Sequence, residues 1–177
     1  MKTTLRMSVQ IVSLLILSLN SGCAELASLN KAITNKTAAI TNNSASLNMP
    51  PMSSAQQEQM HSHFQAHFGS GLQQAVEEAR PTIEKTLQIS ACYPNYDIEK
   101  YLQPYTSGGG VIIGAPMAAM QYHPKTQCLS VVRLDSWKML ARNAFSFRAV
   151  FVSDASGESR SLYYNMIKEP DGAWLLN

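Results

Sequence analysis

The chain has 177 residues, of which 45% are hydrophobic and 15% charged, and its formal net charge is +2. This length suits one domain of ordinary size with a tail and argues against two full domains. Lys2 and Arg6 carry the excess positive charge, and the rest of the chain is neutral. Because the chain has no cluster of basic residues to meet nucleic-acid phosphates, we expect no nucleic-acid partner.

The first residues have the layout of a signal peptide. Residues 1–8 are short and basic, and residues 9–19 form an apolar stretch that is interrupted only by Gln and Ser. A helix that spans a bilayer needs about 20 apolar residues, so this stretch is too short to cross a membrane. The pattern therefore predicts an export signal at residues 1–22.

The apolar stretch ends in the sequence "LNSGC". This ending resembles the bacterial lipobox, in which a cysteine becomes the first residue of the mature protein and carries lipid on its thiol. The resemblance is carried by Leu19, Ser21, Gly22 and Cys23. Asn20 departs from the family pattern, which has an aliphatic residue at that place. The resemblance implies lipid attachment at Cys23 and, with Ala24 instead of Asp after it, the periplasmic face of the outer membrane. The alternative is an ordinary cleaved signal peptide with a chance cysteine nearby.

The chain contains 3 cysteines, an odd number for an exported protein. Assigning Cys23 to lipid leaves Cys92 and Cys128, which could form one disulfide in an oxidising periplasm. The alternative is that both are buried free thiols.

Residues 23–54 are predicted to be a tether between the lipid and a folded domain. They are rich in Ser, Thr, Asn and Ala and contain no aromatic residue, so they cannot bury enough apolar surface to fold alone. A competing pattern is a heptad spacing of apolar residues, which would indicate an oligomerising helix. Its members are Leu26, Ile33, Ile40 and Leu47.

Residues 55–177 are predicted to form a single domain that begins with helices. Apolar residues recur three or four apart, as on one face of a helix. They are Met60, Phe64, Phe68, Leu72, Val76, Ala79, Ile83 and Leu87. The sequence "GSG" at 69–71 should break this pattern, and Pro81 should end or kink a helix, so two or three helices are expected. Asp97 is expected to cap a short helix, and a short strand is expected at 111–114.

The remainder predicts four strands with turns between them, "CLSVVRL", "NAFSFRAVFVSD", "SRSLYYNMIKE" and "AWLLN". Phe145, Phe147, Ala149 and Phe151 should share one face towards the helices. Helices followed by an antiparallel meander predict an α+β fold. This order of elements, with "KEPDGAW" before the last strand, resembles the NTF2-like cone fold over roughly residues 56–177. Members of that superfamily are pocket enzymes, ligand binders or assembly modules, so the resemblance does not imply one activity.

The histidine-rich sequence "HSHFQAH" is the first candidate for chemistry. On a helix, His63 and His67 would lie one turn apart and could present two imidazoles to one metal, whereas His61 would point elsewhere. No nearby Cys, Asp or Glu completes a ligand set. We therefore expect solvated or packed histidines, no metal site and no cofactor.

A second candidate is an acid/base pair of His123 and Asp135 at the mouth of a pocket that Tyr122 would also line. The simpler expectation is that Asp135 turns or ends its strand. The chain contains no GxxxxGK[ST], GxSxG or CxxC motif, so no catalytic residue is predicted.

These patterns together predict a membrane-anchored, periplasm-facing lipoprotein that binds a protein partner in an envelope structure or transport system. The alternative is an NTF2-like domain that binds or transforms a small ligand.

Overall fold

The computed structural model describes residues 49–65, 69–108 and 114–177. The predictions for the signal peptide, Cys23, most of the tether, His67 and all but the last residue of the strand at 111–114 lie outside these residues. The described elements are α1 (Ser54–Ser62), a 3₁₀ turn (His63–Gln65), α2 (Ser70–Cys92), α3 (Glu99–Leu102), a second 3₁₀ turn (Gln103–Tyr105), β1 (Ser130–Ala141), β2 (Ala144–Val152), β3 (Ser159–Lys168) and β4 (Trp174–Leu176). Helices precede an antiparallel sheet, which confirms the predicted α+β class.

Helix α1 begins with a capping box. The Ser53 hydroxyl accepts a hydrogen bond from the Gln56 backbone N–H at 3.2 Å, and the Gln56 side chain accepts one from the Ser53 N–H at 3.0 Å. The same Gln56 amide donates to the carbonyl of Cys128 at 3.0 Å. Met52 is only 4% exposed, so packing already includes residues that the sequence assigned to the tether.

Helix α2 runs through Pro81 without ending, so the expectation that a helix ends at this residue is wrong. Proline removes one backbone donor, which leaves the carbonyl of Glu77 without its helical partner. Both residues are exposed, where water can satisfy that carbonyl. Gly69 is the N-cap, so the predicted break at 69–71 is confirmed. The apolar stripe that faces the core is fully buried at Val76, Ala79, Ile83 and Leu87.

Helix α3 begins at Glu99 with Ile98 as its N-cap, so the predicted cap at Asp97 is wrong. The Asp97 carboxylate instead accepts a hydrogen bond from the Tyr93 hydroxyl at 2.8 Å and pairs with Lys100. These two partners occupy the oxygens that a cap would direct at the helix N–H groups.

The sheet is a meander in the order β1-β2-β3-β4, with each neighbouring pair antiparallel. Strand β1 continues past Asp135 to Ala141, so the expectation that Asp135 turns or ends its strand is wrong. The register shifts between Asp135 and Lys138, and Ser136 has a φ of 56°, which together form a bulge. The bulge accommodates one extra residue of β1 relative to β2, so the strand continues to Ala141.

The inner face of the sheet packs against the helices. Phe145, Phe147, Ala149 and Phe151 are all 0% exposed, which confirms that they share one face towards the core. The Phe147 ring stacks on Trp137, with ring centroids 4.7 Å apart, and on Tyr164, with centroids 5.1 Å apart. The Tyr164 hydroxyl donates to Ser90 of α2 at 3.0 Å, which joins the sheet to the long helix.

The opposite side of the sheet, called the outer face here, carries side chains that alternate with the core residues. Its central members are Arg133, Asp135, Lys138, Arg148, Val150 and Tyr163. Arg148 lies between Asp135 and Tyr163 as their direct cross-strand partner. Tyr163 is 67% exposed. Among the residues described, no helix combines the length and apolar character needed to span a bilayer.

Candidate functional site

Cys92 and Cys128 form the predicted pair, with their sulfur atoms 2.08 Å apart. The bond joins the last residue of α2 to the segment that enters β1, where the Leu129 N–H also donates to the Ala91 carbonyl at 2.9 Å. Cys92 is 0% exposed and Cys128 5% exposed. This burial fits a structural tie between helix and sheet and does not fit a reactive thiol.

His123 lies in a buried polar cluster that sequence patterns did not predict. Its Nδ1 is 2.8 Å from the Ser153 hydroxyl, and its Nε2 is 2.8 Å from the Gln127 carbonyl. Because a carbonyl only accepts hydrogen bonds, Nε2 must carry a proton. A serine beside a histidine that a third group orients has the layout of an activated nucleophile. Ser153 is 0% exposed, however, and its hydroxyl oxygen also accepts from the Ser156 N–H at 3.1 Å. The pair therefore holds a loop and does not face a substrate.

The loop that carries His123 is fixed by two charged side chains. The Glu158 carboxylate accepts hydrogen bonds from the backbone N–H groups of Gln121 and Tyr122, both at 2.9 Å. Burial alone would raise the pKa of Glu158, but these N–H donors outweigh it and lower the pKa below its ordinary value. The Lys125 ammonium donates to the carbonyls of Met117 and Met120, the latter at 2.7 Å. Tyr122 remains 72% exposed on this fixed loop.

The structure does not bring His123 and Asp135 together. His123 contacts Ser153, just after the end of β2. Asp135 pairs with Arg148 of β2. Arg148 lies roughly 13 Å along this strand from Val152, the residue next to Ser153. The acid/base hypothesis required the two groups to share one pocket, so this geometry does not support it.

The histidines near α1 are engaged in separate contacts. The Nε2 of His63 lies 3.2 Å from the Val131 carbonyl, to which it donates. His61 is 3.6 Å from the Glu84 carboxylate, and His67 lies outside the described residues. Over the ranges that the structure describes, no group of three or more His, Cys, Asp or Glu side chains is placed to hold a metal ion. His63 lies in the 3₁₀ turn that follows α1, not within the helix itself.

The outer face is centred on an ion-pair network. Arg148 donates two hydrogen bonds to the two oxygens of Asp135, at 2.7 and 2.8 Å, and Arg133 Nε lies 2.9 Å from the same carboxylate. The hydrogen bonds from Arg148 lower the pKa of Asp135 to about 2. Asp135 is the single acidic residue within the four described strands. With Lys138, the outer face therefore presents three basic side chains and one carboxylate.

Sequence reasoning missed Ser153, Glu158 and the outer face as a unit. The two-residue alternation around Phe145 and Phe147 already carried the signal for the outer face, since Arg148 must point away from them. Ser153 and Glu158 gave no local signal because their partners come from a distant loop.

Comparison with known protein families, with curated proteins and with solved structures finds nothing that matches this chain. The resemblance to the NTF2-like cone fold therefore stays a prediction.

Proposed function

We propose that this chain is an exported lipoprotein, anchored through Cys23 at the periplasmic face of the outer membrane, whose α+β domain binds another envelope protein. The observation that supports this most is the pairing of Cys92 with Cys128. Structural disulfides persist in oxidising compartments outside the cytosol. Of the 3 cysteines, this pairing leaves Cys23, directly behind the apolar export signal, for a separate role.

Lipid attachment would give the chain a firm anchor. Each buried methylene contributes about 0.8 kcal/mol, and one acyl chain alone binds a membrane only marginally. The lipobox family carries a diacylglycerol on the cysteine thiol and usually a further acyl chain on the new amino group. Several chains on one residue bind the bilayer far more strongly than one, so Cys23 alone could set the location of the protein.

A binding role agrees better with the described polar groups than a catalytic one does. The pair of His123 and Ser153, which most resembles catalytic chemistry, is buried and occupied. The arginines of the outer face are accessible, since the side chain of Arg133 is 59% exposed and that of Arg148 is 30% exposed. An accessible surface without a reactive constellation suits recognition of a partner.

The anchor is tested with Cys23→Ser in the full chain, expressed in a Gram-negative bacterium. The wild type should incorporate labelled palmitate and fractionate with membranes until detergent is added. The variant should lose the label and appear in the periplasmic fraction. Intact mass reports whether residues 1–22 are removed and how many acyl chains are present.

The matched control is the double variant Cys92→Ala/Cys128→Ala, which also removes cysteines but keeps Cys23. It should still carry the label. Persistent labelling of Cys23→Ser, or an unlabelled wild type, would rule out the lipid anchor.

A further inference from the structure

We infer that the outer face of the sheet is a docking surface for a protein partner that presents carboxylate side chains. This inference rests on the proposed binding role and assigns it a surface and a chemistry. The outer face carries Arg133, Lys138 and Arg148 against the single carboxylate of Asp135. The surplus of positive charge would be neutralised by acidic residues of a partner.

The hydrogen-bond capacity of this face also exceeds what its own carboxylate can use. Two guanidinium groups carry about ten N–H donors, whereas one carboxylate offers roughly four acceptor sites. Asp135 already receives two hydrogen bonds from Arg148 and a close contact from Arg133. A second carboxylate, supplied by a partner, could accept from the remaining donors in the two-pronged geometry that arginine favours.

Asp135 prepares this surface for binding by holding Arg148 in place. A long side chain that is already fixed before binding loses less conformational entropy on association, so binding is less costly. Arg148 is locked by two hydrogen bonds between neighbouring strands, and Tyr163 lies directly beside it on β3. Tyrosine and arginine are enriched in the residues that dominate protein interfaces. Asp135 is therefore a positioning residue. The expected contacts are the exposed aromatic ring and the three basic side chains of this face: Tyr163, Arg133, Lys138 and Arg148.

Other occupants fit this face less well. A second copy docking face to face would oppose two surfaces with the same excess charge, which repel each other. Recognition of anionic lipid typically uses clusters of about four to eight Lys or Arg residues, more than the outer face provides. An acidic protein surface satisfies both the charge and the exposed aromatic ring.

The test uses the full-length protein in the cells that naturally produce it. The photo-crosslinking residue p-benzoylphenylalanine replaces Tyr163 on the outer face or, as a matched control, Tyr96, which is 75% exposed in the segment between α2 and α3. We expect a covalent adduct with one other protein at position 163, at least several-fold stronger than at position 96. The crosslinked peptide of that protein should contain Asp or Glu residues.

Charge reversal then tests the chemistry. Arg133→Glu/Lys138→Glu, combined with the crosslinker at 163, should reduce the adduct roughly tenfold or more. Arg133→Lys/Lys138→Arg should retain most of it. If the double reversal lowers the melting temperature, Lys138→Glu alone repeats the test, because it leaves the ion pairs of Asp135 in place.

Several results would overturn the inference: an adduct with lipid or with a second copy, a contact peptide without carboxylates, no adduct at position 163, or an adduct that survives charge reversal. An adduct confined to position 96 would reject this surface but keep the binding role. The palmitate label reports on anchoring separately, so the two proposals can fail independently.

Discussion

Neighbouring residues of β2 lie in two opposite environments. Phe147 is 0% exposed and packs between the rings of Trp137 and Tyr164. The next residue, Arg148, points to the outer face, where its side chain is 30% exposed and paired with Asp135. Because burial on the inner face supplies most of the free energy of folding, while exposed ion pairs contribute little, the two faces should respond very differently to substitution. The contrast separates the residues that hold the fold from those available for recognition.

The largest effect is expected from Phe147→Ala on the inner face. Removing a fully buried aromatic ring leaves a cavity and should lower the free energy of unfolding by about 3 to 5 kcal/mol. Tyr163→Ala on the outer face is the matched control and should change it by about 0.5 kcal/mol or less. Denaturant titration followed by circular dichroism measures both. Equal losses from the two variants would remove the distinction between the faces.

The next largest effect is expected from Cys92→Ala/Cys128→Ala. The bond closes a loop with a sequence separation of 36 residues. In the chain-entropy model, losing such a loop lowers the free energy of unfolding by about 3 to 4 kcal/mol. Denaturant titration of the wild type with and without a reducing agent gives the same comparison without mutation.

The double cysteine variant also sharpens the contrast between the faces. The bond lies between α2 and the entry to β1, so its loss should weaken packing and leave the crosslink at position 163 intact under conditions where the variant is folded. An unchanged stability of the wild type after complete reduction would contradict the stabilisation expected from this bond.

The smallest effect is expected in the pH dependence of the free energy of unfolding, through the ion pair of Asp135 on the outer face. The pKa of Asp135 is lowered to about 2, so its contribution is present above the ordinary pKa of aspartate and is lost as the pH falls through about 2. Solvent screens this partly exposed group, which limits the contribution to about 1 kcal/mol. Arg148→Met should reduce the loss of stability between pH 5 and pH 2, whereas Lys138→Met should not. Identical acid profiles for wild type and Arg148→Met would exclude this contribution.

The elements that could be predicted from the sequence are those in which apolar residues recur with a regular spacing. Alternation from Phe145 to Phe151 predicted the buried face of β2, and the three-to-four spacing of Val76, Ala79 and Ile83 predicted the buried side of α2. These periods are imposed by the geometry of a single strand or helix, so they can be recognised without any tertiary partner. The turns between β2 and β3 and between β3 and β4 were predicted from another local signal, the Gly, Asp, Ser and Pro residues in these segments.

Tertiary contacts explain where sequence reasoning failed. Pro81 lies within α2 because burial of the helix on both sides of it outweighs one lost hydrogen bond. Asp135 stays in β1 because Arg148, opposite it on β2, provides a partner that a local pattern does not show. His123 was paired with the wrong residue, since Ser153 comes from a hairpin that only the folded chain brings near.

The side chains that reach β1 and its entry from α1 and from the 3₁₀ turn after it should also protect the edge of the sheet at high local concentration. Gln56 donates to the carbonyl of Cys128, just before β1, and His63 donates to the carbonyl of Val131 within β1, which is an edge strand of the sheet. Unpaired carbonyls on an edge strand can accept hydrogen bonds from a strand of another molecule, which leads to aggregation and domain swapping. Amide and imidazole groups that occupy these acceptors, followed by the bulge near Ser136, make the strand a poor template. A protein held at a membrane through Cys23, as proposed above, would gain from that protection.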